Sequence, residues 1–128
     1  MNIVDTSGWL EFFAGTTSSK NFEKAIQDTN NLLVPTICTY EVFKKILIEV
    51  GEDEAIKAVG HMRIGKIIEL DFELSVLAAK ISKEKKLPMA DSIIYACCQK
   101  YKATLFTQDN DFENLPNVKY YKKRQTNN

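Results

Sequence analysis

Short runs rich in apolar residues punctuate this chain, and between them apolar positions recur every three or four residues. The runs at 2–4, 32–34, 66–70, 104–107 and 117–121 predict five short strands. The stretches between them predict helices. Thr6 and Ser7 are placed to cap a helix over 8–13, which Gly15 ends. A helix over 20–28 carries Phe22, Ala25 and Ile26, and Asn30 and Asn31 form a turn after it. A helix over 36–50 has Ile37, Tyr40, Phe43, Ile46 or Leu47, and Val50 as its apolar stripe, and Gly51 breaks it. Another helix covers 53–62, loosened at Gly60. Asp71 is a good N-cap for a helix through 85 that packs Leu74, Leu77, Ala78 and Ile81. Pro88 suits the first position of the next helix, where its missing N–H costs nothing. Ile94, Cys97, Cys98 and Tyr101 share one face of that helix, and a short helical turn over 111–115 precedes the last strand.

Short apolar strands alternating with helices indicate an α/β fold, its parallel sheet covered on both faces. Ligand sites in such sheets lie beyond the carboxyl ends of the strands. No repeat or linker divides the chain, so residues 1–121 read as one domain and 122–128 as a polar, basic tail. Composition narrows the function classes. Lys and Arg total 17 and Asp and Glu total 17, so the net charge is zero and no strongly basic nucleic-acid-binding domain is signalled. Three cysteines without zinc-site spacing read as small buried thiols in a reducing cytoplasm. The first residues carry no basic region or apolar run of a signal peptide, and nothing approaches a membrane span. Five scattered glycines make no phosphate loop. His61 is the single histidine, which excludes a histidine acid and histidine base within one chain.

The candidate chemistry is acidic. Asp5 follows the first strand, Glu41 lies beside the apolar stripe of the third helix, and Asp91 falls in the first turn of the helix after Pro88. Asp109 and Asp111 follow the strand at 104–107. Each alone has an ordinary explanation: Asp5 as a turn or cap residue, Glu41 paired with Lys44 or Lys45, Asp91 as a first-turn acid complementing the helix dipole, Asp109 and Asp111 as a solvated turn or a cap. Together they read differently. Two negative charges about 4 Å apart repel by roughly 4 kcal/mol at an effective dielectric near 20. Gathering several such groups calls for a counter-charge, and oxygen ligands suit magnesium or manganese. Two metals on shared carboxylates can activate water and stabilise the leaving oxygen in phosphodiester cleavage. Thr6, Ser7 and Thr107 stand beside these acids and could orient them or a water molecule.

Four segments carry a resemblance. Ile3-Val4-Asp5-Thr6-Ser7, the stretch from Val34-Pro35 to Tyr40-Glu41-Val42, Leu87-Pro88-Met89-Ala90-Asp91-Ser92, and Thr107-Gln108-Asp109-Asn110-Asp111-Phe112 resemble, in order and spacing, the motifs of PIN domains. The likeness is greatest to the small VapC-type ribonucleases of toxin–antitoxin pairs. It implies a three-layer αβα sandwich with a short, mostly parallel sheet. It also implies a magnesium- or manganese-dependent endoribonuclease that leaves a 5′-phosphate and a 3′-hydroxyl, a homodimer, and an antitoxin that blocks the acidic pocket. By the same resemblance Asp5, Glu41, Asp91 and Asp109 are the catalytic, metal-holding acids, and Asp111 is a further candidate beside Asp109.

RNA that approaches an acidic site needs flanking basic residues, and Lys44, Lys45, Lys85 and Lys86 are the candidates, with the tail from Lys119 to Asn128, which carries Lys119, Lys122, Lys123 and Arg124, behind them. Tyr120 and Tyr121 are read as strand residues packing the sheet. Trp9, Phe12 and Phe13 form an apolar cluster after Asp5, suited to the core or to a dimer or antitoxin groove. Two competing readings stand beside the nuclease. One is a catalytically silent PIN-like module that binds RNA or protein. The other is a phospho-accepting receiver domain, disfavoured because Asp5 has no acidic neighbour and Asp71 sits at a helix cap.

Overall fold

The five apolar runs pair into a single sheet in the order β3-β2-β1-β4-β5. The strands are β1 (Asn2–Val4), β2 (Leu32–Pro35), β3 (Lys66–Ile68), β4 (Thr104–Thr107) and β5 (Val118–Tyr120). The structure, a computed structural model, describes residues 1–123. Every neighbouring pair is parallel, so the sheet is wholly rather than mostly parallel. Ile3 pairs with Leu33 on one side and Leu105 on the other, and all three are completely buried. Burial of a large apolar side chain contributes roughly 1.5–3 kcal/mol, so these central positions anchor the sheet.

Six helices fill the intervals: α1 (Thr6–Ala14), α2 (Lys20–Gln27), α3 (Thr36–Glu49), α4 (Glu52–Met62), α5 (Phe72–Lys85) and α6 (Met89–Tyr101). The chain steps from β1 to β2 to β3 in one direction, then returns past β1 to β4 and β5. Right-handed crossovers therefore put α1 to α4 on one face and α5 with α6 on the other. The strand order reverses between β1 and β4, and a crevice opens there at their carboxyl ends. Asp5 and Gln108 are the residues that follow these two strands.

Several boundaries differ from the sequence expectation for definable reasons. Asp5, not Thr6 or Ser7, caps α1: its Oδ1 accepts the Gly8 N–H at 2.9 Å, and Thr6 and Ser7 are the first helical residues. Pro88 stands one residue before α6 with extended backbone. β3 stops at Ile68, and Leu70 is exposed in the approach to the α5 cap. Asp109 caps one turn of 3₁₀ helix, Asn110–Phe112, by accepting the Asp111 N–H, where a turn over 111–115 was expected. α4 continues through Gly60 without interruption.

The stripe expected on α3 is also displaced. Its buried residues are Cys38 and Val42, while Tyr40, Leu47 and Val50 are exposed. The helix carries apolar residues on more of its circumference than the sheet and α4 cover. α6 errs the other way, with every residue from Ser92 to Cys98 buried. The Tyr95 hydroxyl pays for its burial by donating to the Pro116 carbonyl at 2.8 Å.

Gly8 sets how closely α1 lies against β1 and α2. A Cβ there would stand 2.5 Å from Val4 Cγ1 and 2.8 Å from the Phe22 ring. Both neighbours are completely buried and have no room to retreat. Gly8→Ala is expected to cost about 1–3 kcal/mol of stability through overpacking, read as a lower midpoint in urea unfolding with an unchanged slope.

Candidate active site

Asp5 is the most enclosed acid, 2% exposed at the end of β1. Its carboxylate accepts three hydrogen bonds. The Ser7 hydroxyl donates to Oδ1 at 2.7 Å, the Gly8 N–H donates to Oδ1 at 2.9 Å, and the Thr107 hydroxyl donates to Oδ2 at 2.6 Å. Thr107 Oγ1 in turn accepts the Asp109 N–H at 2.9 Å, and Ser7 Oγ accepts the Gln108 N–H at 3.1 Å. Two hydroxyls thus tie the carboxyl ends of β1 and β4 together across the crevice. The α1 N-terminus also favours a negative charge at this position. Burial nevertheless outweighs these bonds and pushes the Asp5 carboxyl up to about 6, with Asp109 adding to the rise.

Asp91, Asp109 and Asp111 form the second part of the site. One carboxylate oxygen from each lies within 4.8 Å of the others. Asp91 is carried by the first turn of α6, a helix fixed by the burial of its next two turns. Asp109 and Asp111 are set by the capped 3₁₀ turn after β4. Burial, and then the Asp109 and Asp111 carboxylates, push the Asp91 carboxyl up to about 8, and the Asp5 charge contributes as well. Among the described residues no ion pair reaches any of these acids. A hard divalent cation fits a set of converging carboxylate oxygens with no counter-charge among the described residues.

Glu41 stands to one side of this cluster. Its Oε1 accepts the Thr6 hydroxyl at 2.6 Å, across 35 residues, so it is joined to α1 one residue after Asp5. The surface pair expected with Lys44 or Lys45 is not formed: Lys44 lies 5.8 Å from the Tyr40 ring centre, and Lys45 pairs with Glu49 at 3.1 Å. Cys38 is buried beneath Thr6, and desolvation, followed by the charge of Asp5, raises its thiol far above the ordinary range. All three cysteines are free and buried. Asp71 caps α5 and faces Lys100 at 3.6 Å, off the strand edge on which the receiver reading depends.

A groove of 1060 Å³ extends from Ser7, Gln108 and Asp109 across α1, α3 and α4. Leu10, Phe13, Ile46 and Ala58 give it an apolar floor, and Lys45, Glu49, Glu54 and Lys57 stand along it. Trp9 is completely buried, whereas Phe12 and Phe13 are half-buried and enclose the ring of exposed His61, 5.3 and 5.8 Å away. Tyr121 packs against Phe22, as expected of a residue covering the sheet. Lys85 ends α5 and Lys86 follows it in the left-handed region, in the turn that leads to Asp91. Lys123 reaches the groove, and Arg124 lies outside the described residues.

Two groups were not singled out from the sequence. Gln108 is buried, and its side-chain amide donates to Glu11 Oε2 at 3.2 Å, while the Thr16 hydroxyl also bonds Glu11. The available signal was spacing: Ser7 and Glu11 are four apart on α1 and so share a face. Asp111, a secondary candidate in sequence, is as much part of the three-acid cluster as Asp109.

The sequence model of the PIN domain matches residues 3–118. Among solved structures, the chain is similar to one in a toxin–antitoxin complex from Klebsiella pneumoniae, at 22% identity, TM-score 0.75, over 92% of this chain and 95% of that one. It is similar to VapC20 of Mycobacterium tuberculosis, a toxin that cleaves the sarcin–ricin loop, at 16% identity, TM-score 0.77, over 92% and 97%. It is also similar to a chain of DNA-bound VapBC from Salmonella typhimurium, at 13% identity, TM-score 0.75, over 94% and 96%. At these identities the likeness is one of fold. A comparison with curated protein sequences finds no match.

The raised carboxyls fix how stability depends on pH without metal. Asp5 and Asp91 hold protons more tightly folded than unfolded, where 3.8 applies. Their contribution is complete below about pH 4 and is lost as pH rises through about 6 and then about 8. In metal-free protein, Asp91→Asn should therefore stabilise the fold increasingly from pH 5 to pH 8, and saturating manganese should raise the melting temperature of the unsubstituted chain more at the higher pH. Scanning calorimetry at the two pH values checks both, and an Asp91→Asn difference independent of pH would contradict the assignment.

Proposed function

The chain belongs to the PIN domain family, and from that premise we propose that it is a metal-dependent endoribonuclease, the toxin of a type II toxin–antitoxin pair. The observation that carries the proposal is the convergence of Asp91, Asp109 and Asp111 beside the hydroxyl-bound Asp5, with no basic partner among the described residues. The proposed catalytic and metal-holding acids are Asp5, Glu41, Asp91 and Asp109, with Asp111 added by its place in the cluster. Magnesium or manganese, when bound to such oxygens, lowers the pKa of water and offsets charge on a leaving oxygen.

Each residue then has a definable task. Asp91, Asp109 and Asp111 supply converging carboxylate oxygens from two elements, so their spacing is set by the packing of α6 against the end of β4. Thr107 and Ser7 keep the Asp5 carboxylate in one orientation by donating to opposite oxygens. Thr6 holds Glu41, which is placed to accept a proton from water or to orient it. Lys44, Lys45, Lys85 and Lys86 are the proposed phosphate contacts. The groove beside Asp109, apolar in its floor and charged along its sides, suits an amphipathic segment of an antitoxin. No described helix is long and apolar enough to cross a membrane, and the buried free thiols fit the reducing cytoplasm.

End-labelled RNA incubated with metal-stripped protein should be cleaved only after manganese or magnesium is restored. Asp5→Asn and Asp91→Asn should each abolish cleavage, while Asn at position 5 still caps α1 and preserves the fold. Cleavage that survives both substitutions removes this site. Manganese binding without cleavage of any RNA favours the silent binding module.

A further inference from the structure

The end of the groove beside Asp109 holds a polar pair that the acidic site does not use. Ser7, Leu10, Glu11 and Ala14 recur at helical spacing on α1 and line the groove together. Gln108, between β4 and Asp109, lines it with them and is 8% exposed. Its backbone N–H donates to Ser7 Oγ at 3.1 Å and its side-chain amide to Glu11 Oε2 at 3.2 Å. Glu11 Oε1 accepts the Thr16 hydroxyl. The carboxylate is thus fixed through both oxygens, with a lone pair left on each. The side-chain carbonyl of buried Gln108 accepts no hydrogen bond among the described residues. A tie that served the fold alone would satisfy that oxygen. Glu11 also stands apart in charge. Along the groove Glu49 pairs with Lys45 and Glu54 with Lys57, whereas Glu11 has no cationic partner among the described residues.

We propose that this end of the groove is a nucleobase pocket and that it selects guanine in the RNA substrate. The assignment deepens the nuclease reading given above and rests on it for the identity of the substrate as RNA. Glu11 and the Gln108 carbonyl present acceptors side by side, so the complementary ligand edge is one of donors. Among the RNA bases only guanine has two neighbouring donors, N1–H and the 2-amino group, on its Watson–Crick edge. Glu11 accepts N1–H and one amino hydrogen as a bidentate pair, and Gln108 Oε1 accepts the other amino hydrogen. Adenine and cytosine would set an unprotonated ring nitrogen against the carboxylate, and uracil would set its carbonyls there. That repulsion discriminates as strongly as the attraction to guanine.

The walls and the position suit a base. Leu10 and Phe13 give apolar surface for its face. Phe13 is held by stacking on buried Trp9, with ring centres 5.7 Å apart. Glu11 lies one helical turn beyond Ser7, about 6 Å along α1. Gln108 is the immediate neighbour of Asp109. A base held between them brings its own backbone to the acidic cluster, so reading the base also selects which phosphodiester bond meets the acids.

Titration of the full, metal-free chain with nucleosides, followed by NMR chemical shifts, tests this without any cleavage and without a phosphate for the acids to repel. Guanosine should bind about tenfold or more tightly than adenosine, cytidine or uridine. Inosine, which keeps N1–H but lacks the 2-amino group, should bind more weakly than guanosine. Glu11→Gln should remove the guanosine preference with little change in melting temperature, because Glu11 is half-buried and the amide keeps its shape. Gln108→Met, which keeps the bulk and removes the carbonyl, should weaken guanosine and leave adenosine unchanged. Equal binding of the nucleosides, binding of none, or a guanosine preference that Glu11→Gln leaves intact overturns the proposal. Guanosine selectivity that Glu11→Gln removes, in a chain that cuts no RNA with manganese, would instead count against the nuclease reading alone.

Discussion

Carboxylate oxygens of Asp91, Asp109 and Asp111 lie within 4.8 Å of one another, and Asp5 is close enough to raise the proton affinity of Asp91. At about 4 Å each pair of charges repels by roughly 4 kcal/mol in a medium of effective dielectric near 20. That is a large share of the 5–15 kcal/mol or so that holds a typical domain folded. The repulsion has two outlets, a bound proton or a bound cation. The fold does not supply a third, since no lysine or arginine among the described residues pairs with these acids. Asp5 is treated differently from the other three. It is buried but receives three donors that offset part of its desolvation, whereas burial and then the acidic neighbours push Asp91 further up.

Holding mutually repelling groups together needs rigid supports, and the topology provides them. Reversal of the strand order between β1 and β4 opens the crevice. The hydroxyls of Ser7 and Thr107 then close its floor, each bonded both to Asp5 and to a backbone N–H beyond β4. α6 delivers Asp91 from a helix buried on nearly all sides, which leaves its first turn little freedom to swing the carboxylate away. Gly8 serves the same end. It lets α1 approach β1 so that its own N–H reaches Asp5, and any larger residue would push the helix off.

Much of this was legible in the sequence because local rules and global packing agree there. Strand and helix alternation gave the sheet, Asp71 and Gly15 marked helix ends as expected, and the acids at 5, 91 and 109 stood next to element ends that the pattern had already located. The α3 stripe was misread because periodicity reports which residues are apolar, not which neighbours exist to cover them. Tyr40 on α3 and Val50 just past its end are both exposed, with no neighbouring element among the described residues to cover them. Asp5 as a cap competed with Thr6 and Ser7, which have equal claim locally; the choice is made by strand β1 ending one residue before Asp5. Gln108 and Glu11 meet across 97 residues, and no single-chain pattern encodes that contact.

A neutral chain that binds a polyanion must place its positive charge locally. The lysines along the groove are partly spoken for, Lys45 by Glu49 at 3.1 Å and Lys57 by Glu54 at 3.3 Å. Both pairs are exposed, and such pairs contribute about 0–1 kcal/mol, so a phosphate or an acidic side chain can displace the glutamate at little cost. The acidic cluster poses the opposite difficulty, because phosphate is repelled by the very residues proposed to act on it. A cation held among Asp91, Asp109 and Asp111 answers both problems at once, relieving the acids and presenting positive charge to the substrate. On the proposed function, metal binding and substrate approach would be linked through one electrostatic term, and weakening the carboxylate set would lower affinity for RNA as well as the rate of its cleavage.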